Sequence, residues 1–469
     1  MFQELIDSNW EILDILLVAV GLVIYVGASH TLHQRRHPSA AIAWVLGILL
    51  VPYITLPLYL AFGTRKIVPQ RVVQRNLPLT SSTPEQTTAA RTQQLGQVMG
   101  LPPPKSYESL QIHEDGQQAL AAMRRIIKSA RQTLEVSTFL LGRDVLGKEI
   151  SARLKQRARA GVRVRLLIDG VGFYMGGHPE LEGLRAAGVE VVLFVSLFRS
   201  PRRGRTNLRN HRKMLIADGK ILWCGGRNLA AEYFEGGYYN LRQHAPWIDL
   251  SFDLRGALVH DARWQFEEDW AFAKEQATPD VPPVPLSDPA TSSLAQLVVS
   301  GPDHPDDTIH TLLISTCFGA RQRILAITPY FVPDQVLLMA LMLAARRGVR
   351  VELVIPAHSN HRLADIARHR ALRDLVSAGA HVWLHPEMVH AKAVLVDEDL
   401  ALVGSANLDS RSLFLNYEMM VAFYDPPTVA EFARWVEARR QETTPYLARH
   451  PGVLRSLVEG IVLWLAFQL

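Results

Sequence analysis

The chain has 469 residues, a formal net charge of +5 and a pI of about 9.2. This length exceeds what one ordinary hydrophobic core accommodates, so we expect two globular units plus additional segments. A hydrophobic content of 48% excludes a wholly disordered chain. Two widely separated cysteines, Cys224 and Cys317, exclude a disulfide framework and a CxxC zinc site. The basic charge fits an anionic partner such as lipid headgroups or nucleic acid, although a merely basic surface explains it equally well.

Two long apolar stretches, Ile12 to Ala28 and Ala40 to Phe62, lie near the N-terminus and approach the length that spans a bilayer. A cleaved signal peptide is the alternative, but the leader is acidic and a second apolar stretch follows at once. We therefore predict a membrane anchor with two transmembrane segments over residues 1–66. Pro52 and Pro57 leave open whether the second segment crosses, kinks or re-enters the bilayer. Basic residues after this segment favour a cytoplasmic catalytic body.

Beyond the anchor, the sequence contains an internal repeat. Gly161 to Asp169 and Gly348 to Pro356 share a buried-strand pattern, and each follows an Ala- and Arg-rich helical pattern. Helices that end at Gly188 and at Gly379 precede a further strand in each half. This alternation predicts an α/β fold of two units with mixed sheets sandwiched by helices, related by an internal duplication and a pseudo-twofold axis.

The expected boundaries follow polar and proline-rich segments. Residues 67–104 lack hydrophobic periodicity and are predicted to be a linker, as is the proline-rich segment 277–292. The two α/β units then cover residues 105–276 and 293–448. The tail, residues 449–469, is mostly apolar but too short to span a bilayer, so an interfacial helix and a packed terminal helix are equally good interpretations.

One polar pattern occurs with the same spacing in both halves. It consists of His211, Lys213, Asp218 and Asn228 in the first half and of His390, Lys392, Asp397 and Asn407 in the second. Only nine of the 50 lysine and arginine residues are lysines. The odds that one such pattern arises by accident are therefore on the order of one in a thousand or less, and two accidental copies are not credible.

The chemistry of this pattern suits phosphoryl transfer without a metal. On a strand, side chains two residues apart share a face, so each histidine and its lysine can address one phosphate. Lysine supplies positive charge, asparagine a neutral donor, and imidazole a nucleophile or proton carrier. We include Asp218 and Asp397 in the catalytic motif but expect them to support the site structurally, because each follows an apolar strand where a hairpin turn is expected.

Two HxKxxxxD copies with a following asparagine resemble the phospholipase D superfamily. More narrowly, the chain is similar to bacterial cardiolipin synthases of the two-span type over nearly all of its length after residue 30. The matching stretches are Ala43-Trp44, Leu167 to Gly172, Asn210 to Asn228, Thr328 to Phe331 with Pro333, and Gly404 to Ser412. The resemblance implies that one motif histidine attacks phosphorus and the other protonates the leaving alcohol. The usual arrangement in this family favours the first-half histidine, His211, as the nucleophile, although the symmetric motifs themselves leave the choice open.

The resemblance also implies supporting residues around the two histidines. A carboxylate on the second ring nitrogen fixes the tautomer of a histidine and stabilises its imidazolium. Glu418 stands at the family position for this role, and in the first half, where the same spacing gives Tyr239, Asp249 is the expected substitute. Ser405 is expected to offer its hydroxyl to phosphate, whereas Gly226 stands at the matching position of the first half.

We therefore expect an enzyme that makes cardiolipin and glycerol from two phosphatidylglycerol molecules, with no cofactor, metal or nucleic-acid partner. It would lie in the inner membrane of a bacterial cell, on anionic lipid. A phospholipase D-type hydrolase and a transferase with another acceptor, such as a phosphatidylserine synthase, are the alternatives, because motifs do not reveal the acceptor. A nuclease and a catalytically inert membrane scaffold are less favoured. The arginine run Arg202 to Arg209 is explained by anion binding or by a solvated loop.

Overall fold

The computed structural model describes residues 14–27, 38–63, 87–195, 207–239, 242–277, 293–304 and 306–466. Near the N-terminus it contains three helices, α1 (14–27), α2 (Pro38–Leu50) and α3 (Pro52–Phe62). The second apolar stretch is thus broken at Val51, where Pro52 occupies the first position of α3. None of the helices in the described ranges is both long and apolar enough to cross a membrane.

The three N-terminal helices pack against one another through small and aromatic residues. A Cβ atom placed on Gly21 of α1 would meet Ile48 of α2 at 2.9 Å, so glycine allows this close approach. The ring of Tyr59 in α3 lies 5.4 Å from that of Tyr25 and 5.2 Å from that of Trp44. The apolar N-terminal segment therefore forms a compact group of helices.

The first α/β unit alternates strands and helices along the chain. It follows α4 (Thr88–Val98) and β1 (Lys105–Ser106), a strand that joins the edge of the second sheet. Its elements in chain order are β2 (Glu108–His113), α5 (Gly116–Ser129), β3 (Thr133–Thr138), α6 (Val145–Arg159), β4 (Arg163–Asp169), α7 (Gly170–Met175), α8 (Glu182–Ala186), β5 (Glu190–Phe194), β6 (Arg209–Asn210), β7 (Met214–Ala217), β8 (Ile221–Gly225), β9 (Gly237–Tyr239), β10 (Arg242–His244), β11 (Ser251–Arg255) and α9 (Leu258–Lys274).

The second unit repeats this order. Its elements are β12 (Leu294–Ser300), α10 (Thr308–Gly319), β13 (Arg323–Ile327), β14 (Phe331–Val332), α11 (Gln335–Arg346), β15 (Arg350–Pro356), α12 (Arg362–Ser377), β16 (His381–His385), β17 (Ala393–Val396), β18 (Leu400–Gly404), β19 (Leu408–Asp409), α13 (Ser410–Phe414), β20 (Asn416–Phe423), α14 (Pro426–Arg440), β21 (Thr444–Pro445) and α15 (Val453–Ala466).

The order of strands in the two sheets demonstrates the duplication. In the first sheet it is β2-β11-β8-β7-β3-β4-β5, and in the second the run β12-β20-β18-β17-β13-β15-β16 has the same topology. In both, the last three strands are parallel and the others antiparallel. The same N-cap also recurs, because Asp144 caps α6 and Asp334 caps α11. The predicted α/β class with two related mixed sheets is confirmed.

Helix α9 lies between the two sheets and unites their cores. Its buried residues Leu258, Val259 and Phe266 belong to one hydrophobic cluster with strands of both units. Across this cluster the ring of Phe252 packs 5.4 Å from that of Phe423. A separate cluster on the other face of the first sheet packs against α5 and α6. The two units are therefore joined by a continuous apolar core, which fixes how their strand ends meet.

Several local predictions are confirmed and one is corrected. The two repeated strand patterns form β4 and β15, and the glycines that end the following helices, Gly188 and Gly379, adopt φ values of +91° and +99°. The predicted linker 67–104, however, contains α4. This helix is capped by Thr87, and Thr88 donates a hydrogen bond to Asp397 at 3.1 Å. A helix forms there because its contacts lie in the second unit, which local periodicity does not reveal.

The apolar tail forms α15, which is held against α12 by an ion pair. Arg373 donates to both carboxylate oxygens of Glu459, at 3.3 and 2.5 Å. Val453, Leu454 and Leu457 on the same helix are exposed. The helix is thus packed along one face and leaves an apolar face open. The second predicted linker, 277–292, lies outside the described residues except for residue 277.

Candidate active site

The motif histidines and lysines lie directly before the central antiparallel strands of the two sheets. His211 and Lys213 precede β7, and His390 and Lys392 precede β17. We expected these residues on a strand, but they lie in the segments that lead into β7 and β17. The amide of His211 donates to the carbonyl of Tyr417 at 2.9 Å, so the first motif is hydrogen-bonded to the second unit.

Backbone hydrogen bonds join the two units beside each histidine. Strand β6 pairs in parallel with β20 just before His211. On the other side, the amides of His390 and Ala391 donate to the carbonyl of Ile248 at 2.6 and 3.2 Å, and Ile248 donates to Met388 at 2.9 Å. The two motif segments are therefore drawn together at the contact between the units.

Each histidine is held by a carboxylate from the other unit. His211 Nδ1 lies 3.0 Å from Glu418 Oε1 and 3.1 Å from Oε2, and Glu418 belongs to β20. His390 Nδ1 lies 2.6 Å from Asp249 Oδ2, and Asp249 precedes β11. A carboxylate on Nδ1 directs the lone pair or proton of Nε2 into the site. Sequence reasoning identified both acids, but it did not reveal that the pairs are crossed between units.

The two lysines are buried beside the histidines. Lys213 Nζ donates to the carbonyl of His211 at 2.7 Å, and Lys392 Nζ lies 2.8 Å from His390 Nδ1. Burial lowers the pKa of Lys213 to about 7, repulsion from Lys392 adds to this effect, and the carboxylates of Glu418 and Asp249 oppose it. Burial likewise lowers the pKa of Lys392 to about 8. An anion placed between these ammonium groups would favour their charged forms.

The pKa shifts favour neutral imidazoles and ionised carboxylates at the two histidine pairs. Burial, and then repulsion from the lysines, lowers the pKa of His211 and holds that of His390 well below its usual value. Burial would raise the pKa values of Asp249 and Glu418, but the neighbouring histidines and lysines hold both below the ordinary range. Neutral imidazole next to ionised carboxylate is the state that a histidine nucleophile requires.

The polar residues that follow each motif line the same region. Asn228 donates to the hydroxyl of Tyr233 at 2.8 Å. The side-chain oxygens of Asn228 and Asn407 are buried and accept no hydrogen bond within the described ranges. Ser405 donates to Glu418 Oε2 at 2.5 Å, so its hydroxyl is bonded to the carboxylate that holds His211.

Steric hindrance from Asp249 explains why position 226 is a glycine. A Cβ atom there would lie 2.2 Å from Asp249 Oδ1, whereas a serine occupies the matching position of the second unit. Gly226 therefore leaves room for the carboxylate of Asp249, whereas Ser405 donates a hydrogen bond to Glu418.

The motif aspartates lie at the far end of the strands from the lysines. Asp218 is separated from Lys213 by the whole of β7, about 16 Å along an extended chain. Its carboxylate accepts the amides of Arg131, Gln132 and Thr133 at 2.7 to 3.0 Å. Asp397 accepts three successive amides in the same way, those of residues 321 to 323. Both have φ near +53°, and they brace the turn of each hairpin away from the histidines.

Aromatic side chains that no spacing singled out surround the imidazoles. The ring of Phe139 lies 5.4 Å from that of His211, while those of Tyr233 and Trp247 lie 5.0 and 5.4 Å from that of His390. Phe139 and Trp247 come from loops of the first unit and Tyr233 from a short 3-10 helix, so only the fold brings them here. The aromatic walls limit the access of water to both histidines.

His385 and the arginine run Arg202 to Arg209 belong to neither motif. His385 is fully buried at the end of β16 and accepts the amide of Glu387 at 3.1 Å. Arg209 is buried and donates to the carbonyl of Val195 at 3.2 Å, while Arg202, Arg203 and Arg205 lie outside the described residues. Among the described residues, no group of three or more His, Cys, Asp or Glu side chains is placed to hold a metal ion.

Comparison with known proteins agrees with this architecture. Residues 123–245 and 313–440 each match the family described as cardiolipin synthase, PLD-like domain, and residues 13–63 match the phospholipase D-nuclease N-terminal family. Cardiolipin synthase A of Pseudomonas aeruginosa strain LESB58 is 34% identical over 464 residues, covering 95% of this chain and 93% of its own. The protein of the same name from Pseudomonas putida strain W619 is 32% identical over 437 residues, 89% of each chain.

Among solved structures, a phosphatidylserine synthase from Haemophilus influenzae Rd KW20 superimposes with a TM-score of 0.63 at 15% identity. It covers 81% of this chain and 100% of its own, and shows a shared fold. The duplicated sheets, the two repeated matches and the full-length relatives together show that the chain belongs to the cardiolipin synthase family with phospholipase D-like domains.

Proposed function

We propose that this enzyme is a phosphatidyltransferase that moves a phosphatidyl group from one phosphatidylglycerol to a second, giving cardiolipin and glycerol. The observation that carries the proposal is the pair of crossed contacts, His211 with Glu418 and His390 with Asp249. Neither unit alone supplies its motif histidine with a carboxylate on Nδ1, so a site with two such histidines requires both units. The relatives named cardiolipin synthase A support phosphatidylglycerol as the substrate.

In the proposed first half-reaction, the donor phosphodiester binds between Lys213 and Lys392, with amide donors from Asn228 and Asn407. His211 Nε2 attacks phosphorus while its Nδ1–H donates to Glu418. The bond from phosphorus to the glycerol oxygen breaks, and His390, in its protonated form, gives its proton to that oxygen. Binding of the anionic phosphodiester favours the imidazolium that this step needs, because it offsets the repulsion from the lysines. Free glycerol leaves and phosphatidyl-histidine remains.

In the second half-reaction, a hydroxyl of another phosphatidylglycerol occupies the place of the departed glycerol. His390, now neutral, takes the hydroxyl proton, and the new oxygen–phosphorus bond forms as the bond to His211 Nε2 breaks. Asp249 holds His390 through Nδ1 in both steps and stabilises its charged form. Atoms and charges balance, because the proton that His390 takes from the acceptor hydroxyl replaces the one that it gave to glycerol. No cofactor or metal takes part in either step.

The experiment that tests the proposal supplies the purified full-length enzyme with phosphatidylglycerol and follows lipids by mass spectrometry together with free glycerol. Cardiolipin and glycerol in equal amounts are expected. Phosphatidic acid in place of cardiolipin would instead identify water as the acceptor. A product found only after serine is added would identify a phosphatidylserine synthase. Either outcome refutes the synthase proposal while leaving the two-histidine site intact.

We also propose that residues 1–66 anchor the enzyme in the inner membrane of a bacterial cell, with the catalytic body on the cytoplasmic side. Support comes from the N-terminal family match at residues 13–63 and from exposed apolar side chains on all three N-terminal helices, such as Ile15, Leu50 and Ile54. In the same proposal the body divides into units 105–276 and 293–448, joined by 277–292 and followed by the tail 449–469. Protease protection in vesicles of known orientation tests the topology.

A further inference from the structure

Five exposed apolar side chains are concentrated on the connections that follow the parallel strands of the two sheets. They are Val145 (79% exposed), Met175 (58%), Val336 (54%), Met339 (49%) and Leu363 (48%), and we call them the apolar rim. Six large apolar side chains are exposed among the described residues between 87 and 446, and the sixth is Phe318. Singly exposed apolar residues are ordinary, but five gathered at one end of a body of this size mark an interaction surface.

In the first unit, the rim lies beside His211. Phe139, whose ring contacts that of His211, begins the segment that leads from β3 to Val145 at the start of α6. Met175 ends α7, and the amide of Arg143 donates to the carbonyl of Gly176 at 2.8 Å, which places Val145 and Met175 on adjacent segments. These residues therefore lie at the end of the first sheet where β3 ends and β7, which His211 precedes, begins.

In the second unit, the rim occupies the equivalent connections. Strand β14 pairs with β19 directly after Asn407 and leads into α11, which carries Val336 and Met339. Leu363 is the second residue of α12 and follows His361 by two positions, and the ring of His361 lies 5.2 Å from that of Tyr330. Both connections follow the carboxyl ends of the parallel strands β13 and β15, as in the first unit. The rim is thus contributed by both units around the point where their motifs meet.

Basic residues are interspersed with the rim. Arg143 and Lys148 are exposed near Val145, and Arg362 is exposed next to Leu363. Apolar side chains mixed with cationic ones match the interface of an anionic bilayer, where the former enter the acyl boundary and the latter meet headgroups. The separation of the rim residues over two units favours a broad lipid surface over a single peptide segment, which would need a continuous groove.

We propose that the apolar rim docks the active-site mouth onto the surface of an anionic bilayer. The proposal rests on the proposed function, because a lipid substrate must pass from the bilayer to the histidines. It adds an orientation that a membrane anchor alone does not impose: the carboxyl ends of the parallel strands face the lipid, and the opposite end faces away.

A labelling experiment tests this orientation independently of turnover. Both native cysteines, Cys224 and Cys317, are buried, so a single introduced cysteine can be labelled selectively with an environment-sensitive fluorophore. Full-length Val145→Cys and Leu363→Cys are reconstituted in phosphatidylglycerol-containing vesicles with a lipid-borne quencher. We expect strong quenching at both positions. Absence of quenching at either position overturns the proposal, whether or not the enzyme makes cardiolipin.

Matched controls lie at the opposite end of the sheets. Phe318 is exposed just before the start of β13, and Leu447 is exposed next to Tyr446, whose amide donates to Val382 near the start of β16. Phe318→Cys and Leu447→Cys are expected to escape quenching, and quenching as strong as at the rim would overturn the proposed orientation.

An activity comparison separates docking from chemistry. The double variant Val145→Ser/Leu363→Ser is expected to lose about tenfold in rate on bilayer phosphatidylglycerol, because two apolar side chains no longer enter the lipid. Its rate on short-chain, monomeric phosphatidylglycerol should match the wild type, and Phe318→Ser/Leu447→Ser should match it on both. Equal loss on both substrates would refute docking. If the wild type makes no cardiolipin but the rim labels are quenched, the proposed reaction fails and the docking surface stands.

Discussion

Replacement of Glu418 by glutamine removes the charge that holds His211 while preserving the volume of the side chain. The carboxylate contacts His211 Nδ1 at 3.0 and 3.1 Å and also accepts from Ser405 at 2.5 Å and from Asn416 at 3.2 Å. Loss of one charge-assisted hydrogen bond costs about 1.5–3 kcal/mol, which corresponds to roughly 10- to 150-fold in rate. The amide can also donate to Nδ1 and thereby favour the tautomer with its proton on Nε2, where the attacking lone pair is needed. This second effect extends the expected loss toward about 10⁴-fold.

The assay measures formation of phosphatidyl-histidine in a single turnover and cardiolipin formation in steady state. With His211 as the nucleophile, Glu418→Gln slows formation of the intermediate. Asp249→Asn acts on His390 and therefore slows proton transfer to the leaving group and from the acceptor. Glu387→Gln, which changes an exposed acid in the second unit, should leave both rates unchanged.

The result that refutes this reasoning is a Glu418→Gln enzyme that retains more than about a third of the wild-type rate, since even the lower energetic bound predicts tenfold. Loss of folding would leave the comparison without meaning, so thermal unfolding is measured alongside. Because Glu418 is completely buried, a modest decrease in melting temperature is expected and a collapse of the fold is not.

His211→Ala and His390→Ala should each reduce turnover by at least about 10³-fold with the fold intact, because the pair acts as one unit. The alkaline limb of kcat/KM should fall between about pH 7 and 8, since the ammonium forms of Lys213 and Lys392 are lost as pH rises through those values. In kcat, the limb should move to higher pH because bound phosphodiester favours the ammonium forms. Gly226→Ser should impair activity severely, since a Cβ atom at this position would lie 2.2 Å from Oδ1 of Asp249, the carboxylate that contacts His390.

A histidine variant with a near-normal rate would contradict the shared site. A pH profile of kcat/KM that stays flat to pH 9 would contradict the need for charged lysines. For the glycine, Gly237→Ser is the matched control, because the nearest atom to a Cβ at Gly237 lies 4.0 Å away. Equal activity of the two serine variants would contradict this prediction, because it would show that the carboxylate of Asp249 can shift without loss of activity.

The resemblance and the repeated spacing point to the residues that the structure brings together in the candidate site, but they do not show where every motif residue lies. His211, Lys213, His390 and Lys392 were identifiable because a rare residue type recurs at a fixed interval. Asp218 shares that interval, yet it binds backbone amides at the far end of β7. Spacing along a chain does not separate a residue in a site from one that braces the strand leading to it.

Sequence alone determined the class of fold, the duplication and the identity of both motif pairs, because these depend on local periodicity and on repetition. Only the tertiary structure decided that Glu418 serves His211 and that Asp249 serves His390. It also decided that Phe139, Tyr233 and Trp247 enclose the imidazoles. These contacts join residues up to 207 positions apart. They arise from the packing of two sheets around α9, and no local pattern in the chain encodes which strand ends that packing brings face to face.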